Sequence, residues 1–238
     1  MILNINKPLG MTSYDVVAFV KRLTGEKKVG HAGTLDPMAS GVLLVAVGRE
    51  STKQIDQLMS GYKEYVAEVI LGVETDTLDR EGQIIDSKPV PDLTPEQIDK
   101  ALLKFIGTTL QYPPIYSAVH HHGERAYDLA RQGKEVKLAP RYITIMKIEV
   151  LKYPHEDQGA ELPKLTIRVT CEKGTYIRSL AKDIGSELGT CAFLGALVRT
   201  KIGAYHVETS SSLEHLTLAM AGLFTDPVPL GSVQHKPA

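Results

Sequence analysis

Two ionisable side chains stand in a loop otherwise built of small and apolar residues, GHAGTLDPMASG, from Gly30 to Gly41. They are His31 and Asp36, and a proline follows the aspartate directly. The residue before a proline is pushed out of the helical region, which places Asp36 on extended backbone. Pro37 has no N–H, so Asp36 is denied the commonest structural task of a loop aspartate, an Asx turn onto the residue beyond it. Taken alone, the stretch has two readings. It is either a turn aspartate beside a proline or a stiffly held carboxylate available as nucleophile or base. A third group, Arg178 in CEKGTYIRSLAKDIG, falls in the first turn of an expected helix. A positive charge there opposes the helix macrodipole, so it calls for a carboxylate or phosphate partner unless its flexible stem swings it into solvent.

Two other motifs lead away from chemistry. GEKKVGHA almost fits the phosphate-cradling pattern G-x-x-x-x-G-K-[ST], but His31 and Ala32 stand where the lysine and the hydroxyl belong. The phosphate cation and the magnesium ligand are both missing, which excludes a P-loop NTPase. The run His120, His121 and His122 invites a metal, yet neighbours on an extended segment point to opposite faces, so at most two converge. Two cysteines, Cys171 and Cys191, cannot alone complete a four-ligand zinc site. No metal is expected.

The elements that carry these residues follow from periodicity and punctuation. TSYDVVAFVKRLTG reads as a helix capped by Thr12 or Ser13 and ended by Gly25. GVLLVAVG is a short apolar run consistent with a buried strand, and KEYVAEVILG alternates as another. TPEQIDKALLKFIG carries a capping box, Thr94 with Gln97, and Pro95 at its first helical position. RAYDLARQG is a short helix stopping at Gly133. ITIMKIEVLKY and LPKLTIRVTC are strands, the second with Leu165, Ile167, Val169 and Cys171 on one face. TYIRSLAKDIGSELG is a helix and LVRTKIGAYHV a strand. The acidic stretch VETDTLDREGQ looks like an exposed loop, and the segment after Leu218 like a loose tail. Strands and helices mix without βαβ repetition, which favours α+β.

At 238 residues, 43% hydrophobic and 23% charged, the chain has the profile of a soluble globular protein with one large domain or two small ones. No apolar stretch approaches the roughly 20 residues of a membrane helix. MILNINKPLG lacks the features of a signal peptide, and so few cysteines suit a reducing compartment, so a cytoplasmic location is expected. A net charge of -1 argues neither for nor against nucleic acid, because the charge is unevenly spread. Between Glu74 and Asp99 eight acidic residues face two basic ones, which leaves the rest net basic.

Six stretches occur together in a familiar order: NKPLGMTSYD, GHAGTLDPMASGVL, KEYVAEVILGVETDTLDREG, PPIYSA, GERAYDLARQG and CEKGTYIRSLAKDIG. In this the chain, over roughly residues 2–217, resembles the bacterial tRNA pseudouridine-55 synthase family, TruB. The resemblance implies the α+β pseudouridine synthase fold, a long, mainly antiparallel sheet with helices packed on it and a catalytic cleft across it. It implies an isomerase that detaches one T-loop uracil from C1′ and reattaches it through C5, without cofactor or metal. The partner implied is the tRNA T stem-loop, with no membrane, no obligatory protein partner and a monomeric state.

The same resemblance gives residues their roles. Asp36 is the catalytic aspartate, and attack at C1′, attack at C6 and a glycal route all stay open. Tyr65 stacks on the target uracil, a contact suited to holding a flipped base. Arg178 pairs with the catalytic aspartate, which would favour its ionised form. His31 fills the space left by the extruded base, and Leu197 closes the apolar side of the base pocket. Asp79 belongs to the RNA-contacting loop, and Lys7 to the N-terminal KP block, as structural support to the substrate site. Many relatives continue into a PUA domain. Here residues 1–217 are expected to form the catalytic domain and 218–238 a short tail, too short for an independent β domain. Weaker and less salt-sensitive tRNA binding than in longer relatives is the corollary. Two other readings remain: a non-catalytic RNA-folding factor, and a hydrolase using Asp36 and Asp79 in glycosidase fashion. The second leaves Tyr65 and Arg178 without a role.

Overall fold

The computed structural model describes residues 1–117, 119–121, 124–134, 136–154, 161–220 and 222. In chain order its elements begin with β1 (Ile2–Lys7), α1 (Ser13–Thr24), β2 (Val29–Ala32), β3 (Ala39–Val47), α2 (Arg49–Thr52) and α3 (Ile55–Met59). There follow β4 (Lys63–Leu71), β5 (Val73–Thr75), β6 (Ile84–Ser87), α4 (Pro95–Leu103), β7 (Gly107–Gln111), β8 (His120–His121), β9 (Glu124–Arg125) and α5 (Ala126–Arg131). The last are β10 (Arg141–Lys152), β11 (Lys164–Cys171), α6 (Ile177–Glu187), β12 (Ala192–Ile202), β13 (Tyr205–His206) and α7 (Leu213–Met220). The principal sheet runs β1-β3-β12-β4-β11-β10-β7, with β2 beside β3 and β13 beside β12. The class is α+β. Two compact units can be distinguished, Met1–Tyr65 with the described residues from Val198 onward, and Val66–Leu197.

In the first unit, α1 forms where the sequence says it should. The Thr12 hydroxyl accepts from the Asp15 N–H, and the Asp15 carboxylate accepts from the Thr12 N–H. Gly25 ends the helix at φ 67°. Val16, Val17 and Val20 of α1 pack with Leu43, Val45 and Val47 of β3 and with Leu3 and Ile5 of β1. The alternate residues of β3, Val42 and Leu44, join Ala32 and Ile202 beneath Ile55, Leu58 and Met59. A strand covered on both faces needs an unbroken apolar run, which is why VLLVAV does not alternate. Each fully buried valine, leucine or isoleucine among these contributes about 1.5–3 kcal/mol by leaving water.

Pairing along β3 then creates the loop of interest. β1 follows it from Ile2↔Ala46 to Lys7↔Gly41 along one edge. On the other edge β2 pairs only from Val29↔Val47 to Ala32↔Leu44. β12 is the next strand on that side. The chain therefore leaves β3 at Ala32 and rejoins it as Ala39, with Asp36 in between.

In the second unit β11 pairs antiparallel with β10, and β10 antiparallel with β7. Leu165, Ile167, Val169 and Cys171 are all fully buried, as their alternation predicts. α6 buries Ile177, Leu180, Ala181 and Ile184.

Several expectations need amending. The acidic stretch is not a wholly exposed loop: Val73–Thr75 pairs with Ile84–Ser87, and Thr75 and Asp79 are buried. Its polar atoms bond one another, so burial is tolerated there. α4 stops at Leu103, short of the Gly107 boundary. The short helices α2 and α3 carry too few residues for a period to be visible. α7 extends past Leu218 into the expected tail, of which residues 221 and 223–238 lie outside the described residues, as does His122.

Candidate active site

Asp36 is half-buried between β2 and β3, and the backbone on both sides of it is held. The Ser13 hydroxyl accepts from the Leu35 N–H at 2.9 Å and donates to the Leu35 carbonyl at 3.1 Å. Ser13 is free for this because the helix cap is Thr12, not Ser13. Pro37 presents its carbonyl to the Gly10 N–H at 2.8 Å, and the Ala39 N–H donates to the Asp36 carbonyl at 3.1 Å. The Arg199 guanidinium donates to the carbonyls of Val42 at 2.7 Å, Gly33 at 3.0 Å and Thr34 at 3.3 Å. Arg199 is 1% exposed. Among the described residues it pairs with backbone carbonyls and no carboxylate.

Gly41, at the end of the opening motif, has a defined purpose. Its φ is +103°, and a Cβ there would sit on the backbone of Arg199. The close approach of β12 to β3 needs glycine.

Lys7, expected as structural support to the substrate site, is sealed from solvent. Its ammonium donates to the carbonyls of Met11 at 2.6 Å and Pro8 at 2.9 Å. It braces the turn that delivers Gly10 to Pro37. His31 is half-buried on β2, and its Nδ1 has no hydrogen-bond partner among the described residues. Burial first, then the Arg199 charge, hold the imidazole below its ordinary value. The ring is neutral at pH 7. Tyr65 lies on β4 with its side chain 7% exposed.

In the second unit, Arg178 is the second residue of α6, whose N-cap Tyr176 gives no side-chain cap and whose first turn has no acid. Gln111 fixes that helix start by donating to the Tyr176 carbonyl at 3.0 Å and accepting from its N–H at 2.8 Å. The misplaced charge is answered by Asp79, whose Oδ2 accepts from Arg178 at 3.3 Å. Arg178 also donates to the carbonyls of Thr77 at 3.1 Å and Tyr116 at 2.9 Å. The other Asp79 oxygen accepts from the Thr77 hydroxyl at 2.7 Å and the Glu81 N–H at 3.0 Å. Asp79 is 3% exposed. Its carboxylate therefore faces Arg178 and its own turn. Leu78 in that turn has φ 61°, a strained conformation for a branched residue. Its N–H and carbonyl are bonded to the Thr75 carbonyl and the Leu194 N–H. Leu197 is buried on β12.

Sequence reasoning missed Ser13, Arg199 and the Arg178–Asp79 pair. Arg199 had a signal: it is a charge on the buried phase of a strand, two residues beyond the buried Leu197. Among the described residues no cluster of three or more His, Cys, Asp or Glu side chains could hold a metal. No helix among them is long and apolar enough to cross a membrane.

Comparison with known proteins adds an independent line. A family model described as TruB family pseudouridylate synthase, N terminal domain, matches residues 21–177. The chain is 50% identical over 218 residues to a tRNA pseudouridine synthase B of Dehalococcoides mccartyi (strain CBDB1), covering 92% of this chain and 70% of that one. It is 51% identical over 204 residues to the tRNA pseudouridine synthase B of Desulfotalea psychrophila, covering 86% and 82%. Among solved structures it resembles a chain of a Cbf5-Nop10-Gar1 complex, with a TM-score of 0.67 at 33% identity. That match covers 90% of this chain but only 52% of the other. The matched family segment contains His31, Asp36, Tyr65 and Asp79, while Lys7, Arg178 and Leu197 lie outside it.

Proposed function

The chain belongs to the TruB family of pseudouridylate synthases and isomerises uridine to pseudouridine in tRNA, and on that premise we propose that its target is the T-loop uridine at position 55 and that Asp36 is the catalytic group. The observation that carries the assignment is the hold on the Asp36 backbone. Leu35, Asp36 and Pro37 each have a backbone group fixed by a hydrogen bond. A group that must meet one carbon of a flipped nucleotide needs such fixity, because reaction rate depends steeply on orientation. Asp36 acts on the glycosidic bond, Tyr65 offers an aromatic face to the extruded uracil, and His31, neutral at pH 7, occupies the place the base has left. Leu197 supplies apolar surface to the base. Arg178 is the cation that supports the anionic aspartate during the reaction. Lys7 and Asp79 act through the backbone and the arginine that they hold.

The T stem-loop as minimal substrate, a monomeric state and action in the cytoplasm complete the proposal. Basic side chains in the first unit, Lys28, Arg49 and Lys53, line one surface depression and supply charge suited to phosphates. The test is incubation of the protein with a T-arm stem-loop, then mapping of pseudouridine by primer extension after carbodiimide treatment. A single stop at the T-loop uridine is expected. Modification at another uridine overturns the substrate assignment, and release of free uracil overturns the isomerase.

A further inference from the structure

Among the described residues, the loop that carries Asp36 has no strand neighbour of its own. It spans the point where β2 has left the edge of β3, so its carbonyls and N–H groups must find partners outside a ladder. Two buried side chains provide them. Ser13 holds both backbone groups of Leu35 through a single oxygen. Arg199 holds the carbonyls of Gly33 and Thr34 and ties them to the Val42 carbonyl of β3.

We propose that Ser13 and Arg199 are positioning residues for the isomerisation, a two-point clamp that fixes the backbone immediately before Asp36. The inference rests on Asp36 being the catalytic group. Arg199 is suited to the task by its planar fork, which can address carbonyls on β3 and on the loop together; a lysine in its place offers one rotating ammonium. Its burial without a carboxylate partner is costly for a residue that only fills space. A leucine or methionine would fill the same volume without the desolvation. Three carbonyls on two segments justify the charge, and two of those three belong to the loop leading into Asp36. Ser13 adds a second constraint from α1. A one-ångström misplacement of a reacting group costs on the order of a hundredfold in rate, so slackening either point is felt in the chemical step. Substrate affinity depends on the wider RNA contacts, and it is left alone. The clamp has a second consequence. The Arg199 charge contributes to keeping His31 neutral, so a variant lacking that charge raises the His31 titration midpoint.

The test compares Ser13→Ala, Arg199→Lys and Asp36→Asn with the unsubstituted protein on a T-arm stem-loop. Single-turnover rate and RNA dissociation constant are measured separately. Thermal melts check folding, and the His31 ring resonances are titrated in an Arg199→Met variant. The expected result is a rate lowered about 10- to 100-fold in Ser13→Ala and Arg199→Lys with RNA affinity within about twofold. The His31 midpoint rises in Arg199→Met. If the arginine variants do not fold, Ser13→Ala decides alone. A folded Ser13→Ala with an unchanged rate, or one that loses RNA affinity and not rate, overturns the clamp while Asp36→Asn is inactive. An active Asp36→Asn overturns the catalytic assignment instead, so the two failures are distinguishable.

Discussion

Replacing Asp79 by asparagine isolates the buried ion pair beneath α6. The two side chains are 7% and 5% exposed, so solvent screens the pair little. Asparagine keeps an oxygen for the Thr77 hydroxyl and the Glu81 N–H but removes the anion facing Arg178. A hydrogen bond to a charged group contributes about 1.5–3 kcal/mol, and breaking a buried pair outright costs about 3–5 kcal/mol. Arg178 retains the carbonyls of Thr77 and Tyr116, which places the cost near the lower figures, about 2–3 kcal/mol. For a chain of this length that lowers the melting temperature by roughly 4–12 °C. Urea unfolding followed by circular dichroism reads the loss directly, and a double-mutant cycle with Arg178→Met isolates the pair. The coupling should exceed about 1 kcal/mol and persist at high salt. A cost below about 0.5 kcal/mol, or one that vanishes at about 1 M salt, where the screening length is about 3 Å, would mean that the pair is solvated and that the charge at the start of α6 is held by something else.

Other consequences can be read from single positions. Gly41→Ala forces a Cβ against the Arg199 backbone at φ +103°, and backbone strain alone costs about 1–3 kcal/mol; denaturation should show at least that loss, and a neutral substitution contradicts the close approach of β12. Lys7→Met leaves the carbonyls of Pro8 and Met11 without their donor, so stability falls by about 1–3 kcal/mol while RNA affinity stays within twofold; selective loss of affinity would restore Lys7 as a direct contact. His31 has a depressed value in the folded state, so the unfolded chain takes up the proton first as pH falls. Stability is then unaffected above the ordinary imidazole value, near 6.5, and declines below it until the folded midpoint is reached, with a slope of at most about 1.4 kcal/mol per pH unit. His31→Gln should remove that part of the acid slope between pH 7 and 5, and an unchanged slope contradicts the burial argument.

What could be read from the sequence follows from the range of the forces involved. The caps of α1 and α4 and the alternation of β11 are local, and each appears where Thr12, Thr94 and Leu165 to Cys171 place it. The anomaly of Arg178 correctly demanded a carboxylate, but residue types alone could not say that Asp79, 99 positions away, would supply one. Asp79 looked exposed because acidic runs normally are, and only its bonds to Thr77 and Glu81 explain its burial. Ser13 was hidden by its neighbour, since either Thr12 or Ser13 could have capped the helix. Arg199 was hidden by distance: its partners at 33, 34 and 42 become visible only when β12 is placed beside β3.

The central claim is that Asp36 carries the chemistry. Its most direct test is single-turnover pseudouridine formation by Asp36→Asn on a T-arm stem-loop, with binding measured on the same RNA. The account predicts no detectable pseudouridine and a dissociation constant within about threefold, because the amide preserves shape and removes the reacting anion. Substantial turnover by the folded variant would contradict it.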